Sequence, residues 1–467
     1  MQNLLLSYYG DDLTGSTDVM EALELGGVPT VLFMRQPDEA LLSQFAHCRA
    51  VGLAGTSRSE TPQWMDTHLR DAFAWLKTLN AEICHYKVCS TFDSSPAIGS
   101  IGRAIEIGCS VFRQDGVPLV VGAPQLKRYT AFGHLFAAYR EKYFRIDRHP
   151  VMSRHPITPM DESDLLIHLS RQTDLSSGLI DLATLQSASR SEAFDRLVED
   201  GTGIVLVDVD SLETQALAGK EIWRARKPGS YFVVGSSGIE YALLVEWASN
   251  RIVDAKPAFS PPGAADRIAV VSGSCSPTTE RQIRHALAEG FDGIELDPVE
   301  LVSEASNDAI ARAVATGRSS LRAGRSIILY TALGPAADRG AEIDLREGAR
   351  HKLGRGLGEL LRELTLQEKL PRVVIAGGDT SSHALGQMGV DALTVRMPLP
   401  ASPGSPLCVA HSRIKAIDGL EIALKGGQVG TDRYFSTIRD GDGSAVESGE
   451  HQFESVMLDR DPETPDV

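Results

Sequence analysis

The sequence predicts an α/β protein of two domains, each a mostly parallel sheet flanked by helices, on three observations. Short apolar runs of strand length alternate with stretches of helical periodicity from the start of the chain to about residue 435. At 467 residues the chain is longer than one ordinary core accommodates. Near its middle the alternation stops at a segment holding Pro257, Pro261, Pro262 and Gly263 with few large apolar residues, which reads as a linker. The expected division is a domain over 1–250, a linker over 251–266, a second domain over 267–435 and a tail over 436–467.

Leu4, Leu5 and Leu6 read as a buried strand, and the stretch after Ser16 places Val19, Met20 and Leu23 at helical spacing. Strands are expected over 30–33, 50–54, 83–88, 117–122, 203–207 and 231–235, with helices over 64–79 and 99–109. Beyond the linker come a strand over 268–271, a helix over 277–289, a strand over 326–331, a helix over 348–364 and a strand over 373–376. A pair of strands, 393–397 and 421–424, closes the second series. The acidic, Gly- and Ser-containing tail reads as disordered.

Composition narrows the function classes. Hydrophobic content of 42% and charged content of 23% are those of a globular protein. A net charge of −16 lacks the basic face that a nucleic-acid partner needs. No run approaches the length of a membrane span, and no cationic leader precedes the first apolar stretch, so a cytoplasmic protein is expected. The six cysteines show neither a Cys-x-x-Cys pair nor zinc-like spacing with histidine and read as reduced thiols.

The run Tyr9-Gly10-Asp11-Asp12-Leu13-Thr14-Gly15 lies between the first strand and the first helix, where ligands of α/β sheets bind. A helix cap needs one such carboxylate, and two invite a cation or a hydroxylated ligand. Asp11, Asp12 and Asp93 can accept hydrogen bonds from a polyol. Arg145, Arg148, His149, Arg154 and His155 crowd a short stretch against the single acid Asp147, and Arg154 suits a carboxylate through a bidentate contact. Lys87 ends a strand beside the loop that carries Ser94. It either neutralises a transferring phosphoryl group or pairs with Asp93.

In the second series, Val271-Ser272-Gly273-Ser274-Cys275-Ser276-Pro277 ends a strand in small residues and opens a helix, with Ser276 a natural N-cap and Pro277 a natural first helical residue. Such a turn lets amides and hydroxyls approach an anion. Gly377-Gly378-Asp379-Thr380-Ser381-Ser382 repeats the arrangement, and Lys425-Gly426-Gly427-Gln428-Val429-Gly430 adds a third glycine turn. Three in one domain favour phosphate binding. No Gly-x-x-x-x-Gly-Lys-Ser/Thr loop occurs, and Gly354-Arg355-Gly356-Leu357-Gly358 has the wrong spacing for a dinucleotide fingerprint.

With these motifs in place the chain resembles the four-carbon acid sugar kinase family over nearly its whole length to about Phe435. Gly10-Asp11-Asp12-Leu13-Thr14-Gly15, residues 87–96, His155-Pro156-Ile157-Thr158-Pro159-Met160, Gly235-Ser236-Ser237-Gly238, residues 272–276 and Gly377-Gly378-Asp379-Thr380 carry the resemblance. It implies a sugar-binding N-terminal domain, a nucleotide-binding C-terminal domain and ATP-dependent phosphorylation of a terminal hydroxyl on erythronate, threonate, a 3-oxo-tetronate or oxoisoapionate. It also implies ATP contacts from Ser274, Gly377, Gly378, Asp379, Thr380 and Gly427. One departure is that Gly426 and Val429 stand where a serine and an aromatic are expected.

The expected mechanism places ATP with Mg²⁺ on the second domain and the sugar acid on the first, with the active site in the cleft between them. Asp12 is the first choice as proton acceptor, Asp11 orients the substrate, and the two roles are exchangeable, with Asp93 as substitute. Lys87 completes the catalytic set. Thr14, Asp93, Ser94, Arg154 and His155 bind the acceptor, Ser276 joins the nucleotide contacts, and the metal ligands stay unassigned. A homo-oligomer is left open. The rival readings are a nucleotide-binding sensor without turnover and a nicotinamide-dependent oxidoreductase, the latter lacking its glycine fingerprint.

Overall fold

A computed structural model describes residues 4–155, 157–253, 257–346, 348–399 and 402–441, and of Asp379 and Thr380 only the backbone. The chain divides into two compact units at Pro257 and Ala258. Most of the expected tail lies outside the described residues. Its assigned start does not, because Ser436 is buried within the helix Tyr434–Asp440, whose Phe435 and Ile438 pack into the core. The acidic composition of the segment hid an apolar helical turn at its beginning.

The N-terminal unit contains strands β1 (Leu6–Gly10), β2 (Thr30–Phe33), β3 (Ala50–Ala54), β4 (Ile83–Lys87), β5 (Val117–Val120), β6 (Arg128–Ala131), β7 (His134–Tyr139), β8 (Lys142–Arg145), β9 (Ser177–Ile180), β10 (Ile204–Val207) and β11 (Tyr231–Gly235). Eight of them form a parallel sheet in the order β2-β3-β1-β4-β11-β5-β10-β9. Strands covered by helices on both faces are buried along their whole length, as β1, β4 and β11 are, and the polar Ser7, His85 and Lys87 are buried with them. Tyr9, Phe73, Tyr86, Phe112 and Phe232 form a connected aromatic cluster in this core.

Strands β6, β7 and β8 form a separate antiparallel sheet that the sequence reading missed. Their charged and aromatic residues are interleaved with apolar ones, so no strand pattern stands out there. The turn joining β6 to β7 puts Phe132 and Gly133 at φ 51° and 77°, the paired positive dihedrals that a tight hairpin requires. Phenylalanine gives no sequence signal for that conformation.

The C-terminal unit adds β12 (Ala269–Ser272), β13 (Asp292–Glu295), β14 (Ile327–Tyr330), β15 (Arg372–Ala376), β16 (Ala392–Met397), β17 (Leu407–His411) and β18 (Glu421–Lys425), in the order β13-β14-β12-β15-β18-β17-β16. The expected closing pair of strands corresponds to β16 and β18, but they do not pair with each other. β17, unrecognised in the sequence, lies between them and is antiparallel to both. Ile268, Val270, Ile283, Phe291, Ile328 and Val374 anchor the core of this unit. Among the described residues no helix is long and apolar enough to cross a membrane.

Candidate active site

In the N-terminal unit the site forms at the carboxyl ends of β1 and β4. β1 stops at Gly10, and Asp12 caps the helix Leu13–Leu25 by accepting a 2.6 Å hydrogen bond from the Gly15 amide through Oδ1. The preceding residue is held differently. The Asp11 amide donates to the Lys87 carbonyl at 2.9 Å, and the Asp11 carbonyl accepts from the Arg58 amide at 3.1 Å.

Those backbone bonds bring in Arg58, a residue the sequence reading did not single out. Its guanidinium spans both carboxylates, with Nε 3.3 Å from Asp11 Oδ2 and Nη1 2.6 Å from Asp12 Oδ2. Burial works against its charge, but Asp11 and Asp12 outweigh burial and hold it protonated. Arg58 belongs to a short turn over Ser57–Ser59 with no motif around it, so only the fold reveals it.

Asp12, expected to accept the proton, therefore has one oxygen in a helix cap and the other in an ion pair. Asp11 is more deeply buried, and its Oδ1 has no hydrogen-bond partner. Burial pushes its carboxyl up to about 6, against the pull of Arg58. Thr14 Oγ1, in the first turn of the helix, is a second buried oxygen without a partner.

Lys87 ends β4 almost fully buried. Its nearest carboxylate is Asp18 at 3.9 Å, and the alternative of a pair with Asp93 is not what the fold builds. A Cβ at Gly15 would lie 2.7 Å from Asp12 Oδ1 and 3.0 Å from Lys87 Nζ, so glycine leaves both groups room over the helix start. Burial raises the Asp18 carboxyl, with Lys87 opposing.

The loop after β4 carries Asp93, buried and accepting from the Thr91 hydroxyl. Burial pushes its carboxyl up, yet Arg58, Thr91 and His155 outweigh burial and hold it below the usual range. Ser94, expected to bind the sugar acid, has its hydroxyl bonded within the protein. Its Oγ lies 3.0 Å from the Phe92 carbonyl, 2.9 Å from His168 Nε2 and 2.9 Å from Gln172 Nε2.

The basic stretch resolves residue by residue. Arg145 is neutralised by Asp147 at 2.6 Å. The His149 ring accepts the amides of Val151 and Met152. His155 Nδ1 accepts the Thr158 amide at 3.2 Å, which leaves Nε2 unused there, and the ring acts electrostatically on Asp93. Arg154 closes the turn Met152–Arg154 as an exposed cation. Pro156 lies outside the described residues. Ser236 satisfies the Val121 carbonyl and the Gly238 amide, as a plain tight turn does.

In the C-terminal unit all three glycine turns meet at the carboxyl ends of β12, β15 and β18. Ser276 caps the helix Pro277–Ala288 by accepting the Thr279 amide, and its hydroxyl donates to the Gly427 carbonyl. Ser276 thereby joins two of the turns. Ser274 Oγ accepts from the Ser276 amide at 3.3 Å and the Thr279 hydroxyl at 3.0 Å. A Cβ at Gly427 would lie 3.2 Å from Ser274 Oγ.

Gly377 adopts φ 123°, ψ 128°, which a side chain disfavours, and its amide donates to the Lys425 carbonyl at 2.7 Å. Gly378 opens the helix Gly378–Met388, and a Cβ there would meet nothing within 4 Å. Asp379 and Thr380 continue that helix, and their side chains lie outside the described residues. Backbone at close approach, small residues and a helix start fit a polyphosphate.

A turn of acids, lysine and unpartnered oxygens on one unit, with clustered phosphate-type turns on the other, is the equipment of a two-domain phosphotransferase. Comparison with known proteins gives the same class. Residues 6–243 match the sugar-binding N-terminal domain model and residues 269–435 the nucleotide-binding C-terminal domain model.

The 3-oxo-isoapionate kinase of Paraburkholderia graminis is 45% identical over 94% of this chain and 94% of its own. The 3-oxo-tetronate kinase of Pectobacterium atrosepticum is 29% identical over 92% and 97%. A solved structure from Salmonella typhimurium LT2, described as that of a tRNA synthase, superposes with a TM-score of 0.74 at 26% identity over 93% of this chain and 98% of its own. The protein belongs to the four-carbon acid sugar kinase family. It is an ATP-using kinase that phosphorylates an alcohol group of a sugar acid.

Proposed function

We propose that this kinase transfers the γ-phosphoryl group of MgATP to a terminal hydroxyl of an oxo sugar acid, with 3-oxo-isoapionate as the first candidate and 3-oxo-tetronates, erythronate and threonate behind it. The order follows the 45% identity to a 3-oxo-isoapionate kinase against 29% to a 3-oxo-tetronate kinase. The observation that carries the acceptor class is the pair of buried, unpartnered oxygens, Asp11 Oδ1 and Thr14 Oγ1, at a turn roofed by Lys87. Such atoms are costly unless a ligand hydroxyl meets them.

In this reading Asp11 accepts the hydroxyl proton, exchanging roles with Asp12, whose cap and ion pair make it the orienting group. Phosphoryl transfer asks for alignment and charge shielding more than covalent work. Lys87 supplies positive charge toward the entering phosphoryl group. Asp93 and His155 Nε2 address the remaining oxygens of the acceptor, and Arg154 its carboxylate. Mg²⁺, carried on the phosphates, would shield their charge. Ser274, Gly377, Gly378, Asp379, Thr380 and Gly427 hold the nucleotide. Six free thiols, Cys48, Cys84 and Cys408 among them buried, support a reducing, cytoplasmic setting.

A coupled assay of ADP formation across a panel of oxo-tetronates, tetronates and branched oxo acids tests the function. Turnover should be highest with 3-oxo-isoapionate. ATP binding with no acceptor-dependent ADP release would instead establish the sensor reading. Arg154→Ala should weaken acceptor binding by about 1.5–3 kcal/mol, the worth of a charge-assisted contact, and leave ATP affinity as it was. Calorimetry with each ligand separates the two, and equal loss of both would move the carboxylate anchor to another cation.

A further inference from the structure

Lys425 ends β18 with its side chain fully buried, at 0% exposure. Its Nζ donates to the carbonyls of Gly426 at 2.7 Å, Val429 at 3.3 Å and Gly427 at 3.5 Å, and to the Thr279 hydroxyl at 3.1 Å. No carboxylate among the described residues lies within ion-pair distance. The other buried cations differ: Lys87 has Asp18 and Arg372 has Glu421. Burial pushes the Lys425 ammonium down to about 7, and among the described residues no carboxylate of its own turn, of β15 or β17, or of the helices Pro277–Ala288 and Gly378–Met388 pairs with it, the Asp379 side chain lying outside the described residues. An isolated buried cation is costly, and proteins retain one where something offsets it.

The contacts of this residue reach all three glycine turns. Thr279, which accepts from Nζ, touches Ser274 and Gly427, and the main-chain carbonyl of Lys425 holds Gly377. Carbonyls in the third turn point at the ammonium, while the amides of Gly426, Gly427 and Gln428 donate to no acceptor among the described residues. Inward carbonyls with unpartnered amides make a turn suited to an anion on its other side.

We infer that Lys425 is the positioning cation of the nucleotide site, fixing the third glycine turn so that its amides receive phosphate oxygens and finding in those phosphates the counter-charge that no described carboxylate supplies. This rests on the ATP reading above and adds to it a residue that need not touch the nucleotide. The wild-type signature follows from charge. The ammonium favours phosphate and the neutral amine does not, so nucleotide affinity should fall as pH rises through about 7.

Calorimetry with MgADP on the full-length protein provides the test, the titration of the ligand itself being subtracted from a parallel run. Lys425→Met keeps the volume and removes the charge. It should weaken MgADP on the order of 30-fold or more, flatten the pH profile, and leave sugar-acid affinity and the circular dichroism spectrum unchanged. Thr279→Val, which removes the hydroxyl between Nζ and Ser274, should weaken MgADP in the same direction by less.

A folded Lys425→Met variant with wild-type affinity, or one with the wild-type pH slope, overturns the inference. If that variant does not fold, a wild-type profile without the fall, or unaltered affinity in Thr279→Val, overturns it equally. Wild-type protein that binds no nucleotide at all would refute the ATP reading instead.

Discussion

Asp11→Asn is expected to lower turnover by roughly 10²–10⁴-fold while the protein stays folded and still binds its acceptor, because the amide keeps the shape and cannot take a proton. The Asp12→Asn variant should lose far less, since asparagine caps a helix almost as well as aspartate. The contrast follows from how their oxygens are used. Asp12 gives one to the Gly15 amide and one to Arg58, whereas Asp11 keeps Oδ1 unpartnered.

With the carboxyl raised from 3.8 to about 6, Asp11 is protonated and idle below that pH. The acid limb of kcat/KM should therefore rise through about 6 in the wild type and vanish in Asp11→Asn. Stability carries the opposite sign. A carboxyl raised on folding contributes stability below its unfolded value of 3.8, and the contribution is lost as pH rises through about 6. Asp11→Asn should consequently melt no lower than the wild type at neutral pH. Rapid-quench measurement of ADP formation isolates the chemical step. A near-normal step in Asp11→Asn would return the base to Asp12 or pass it to Asp93.

Gly378→Val should abolish measurable ATP binding, a loss on the order of 10²-fold or more, by filling the space a phosphate needs at the helix start. A Cβ at this position would meet nothing within 4 Å, and Gly378 is not among the glycines of positive φ. The backbone therefore accepts a side chain at this position, and circular dichroism of the variant separates an effect on the nucleotide from misfolding. Calorimetry should show acceptor binding on the N-terminal unit retained. Unaltered ATP affinity would remove Gly378 from the nucleotide site.

What the sequence conveyed is what depends on local pattern. Fully buried parallel strands such as β10, β11 and β15 are apolar at nearly every residue, and helix starts such as Ser276-Pro277 carry their caps in plain view. The β6–β8 sheet went unread because its antiparallel strands mix polar and apolar residues as loops do, and the short, largely apolar β17 is masked by Pro403, Gly404 and Pro406 just before it, which read as a loop. The acidic turn was legible as a site, but not the division of labour within it. Arg58 reaches Asp11 and Asp12 across 46 or 47 residues of chain, and no local signal announces such a contact. Ser94 and Ser276 looked like ligand groups because hydroxyls bond ligands and protein alike, and only the fold shows the partners each has within the protein.

The position of β11 bears on how the N-terminal unit assembles. It is the last strand of that unit to be synthesised, yet it lies in the interior of the sheet, pairing on one side with β4 and on the other with β5. Until Tyr231–Gly235 has left the ribosome, the nascent sheet has two unsatisfied edges, on β4 and β5, instead of one continuous surface. Strand edges left open in this way are templates for pairing with other chains. Closing so distant a pairing also demands loop-closure entropy before any contact repays it. The lysine at the end of β4 and the aspartates of the first turn are thus translated early, but the sheet that holds them rigid is completed only when its central strand arrives.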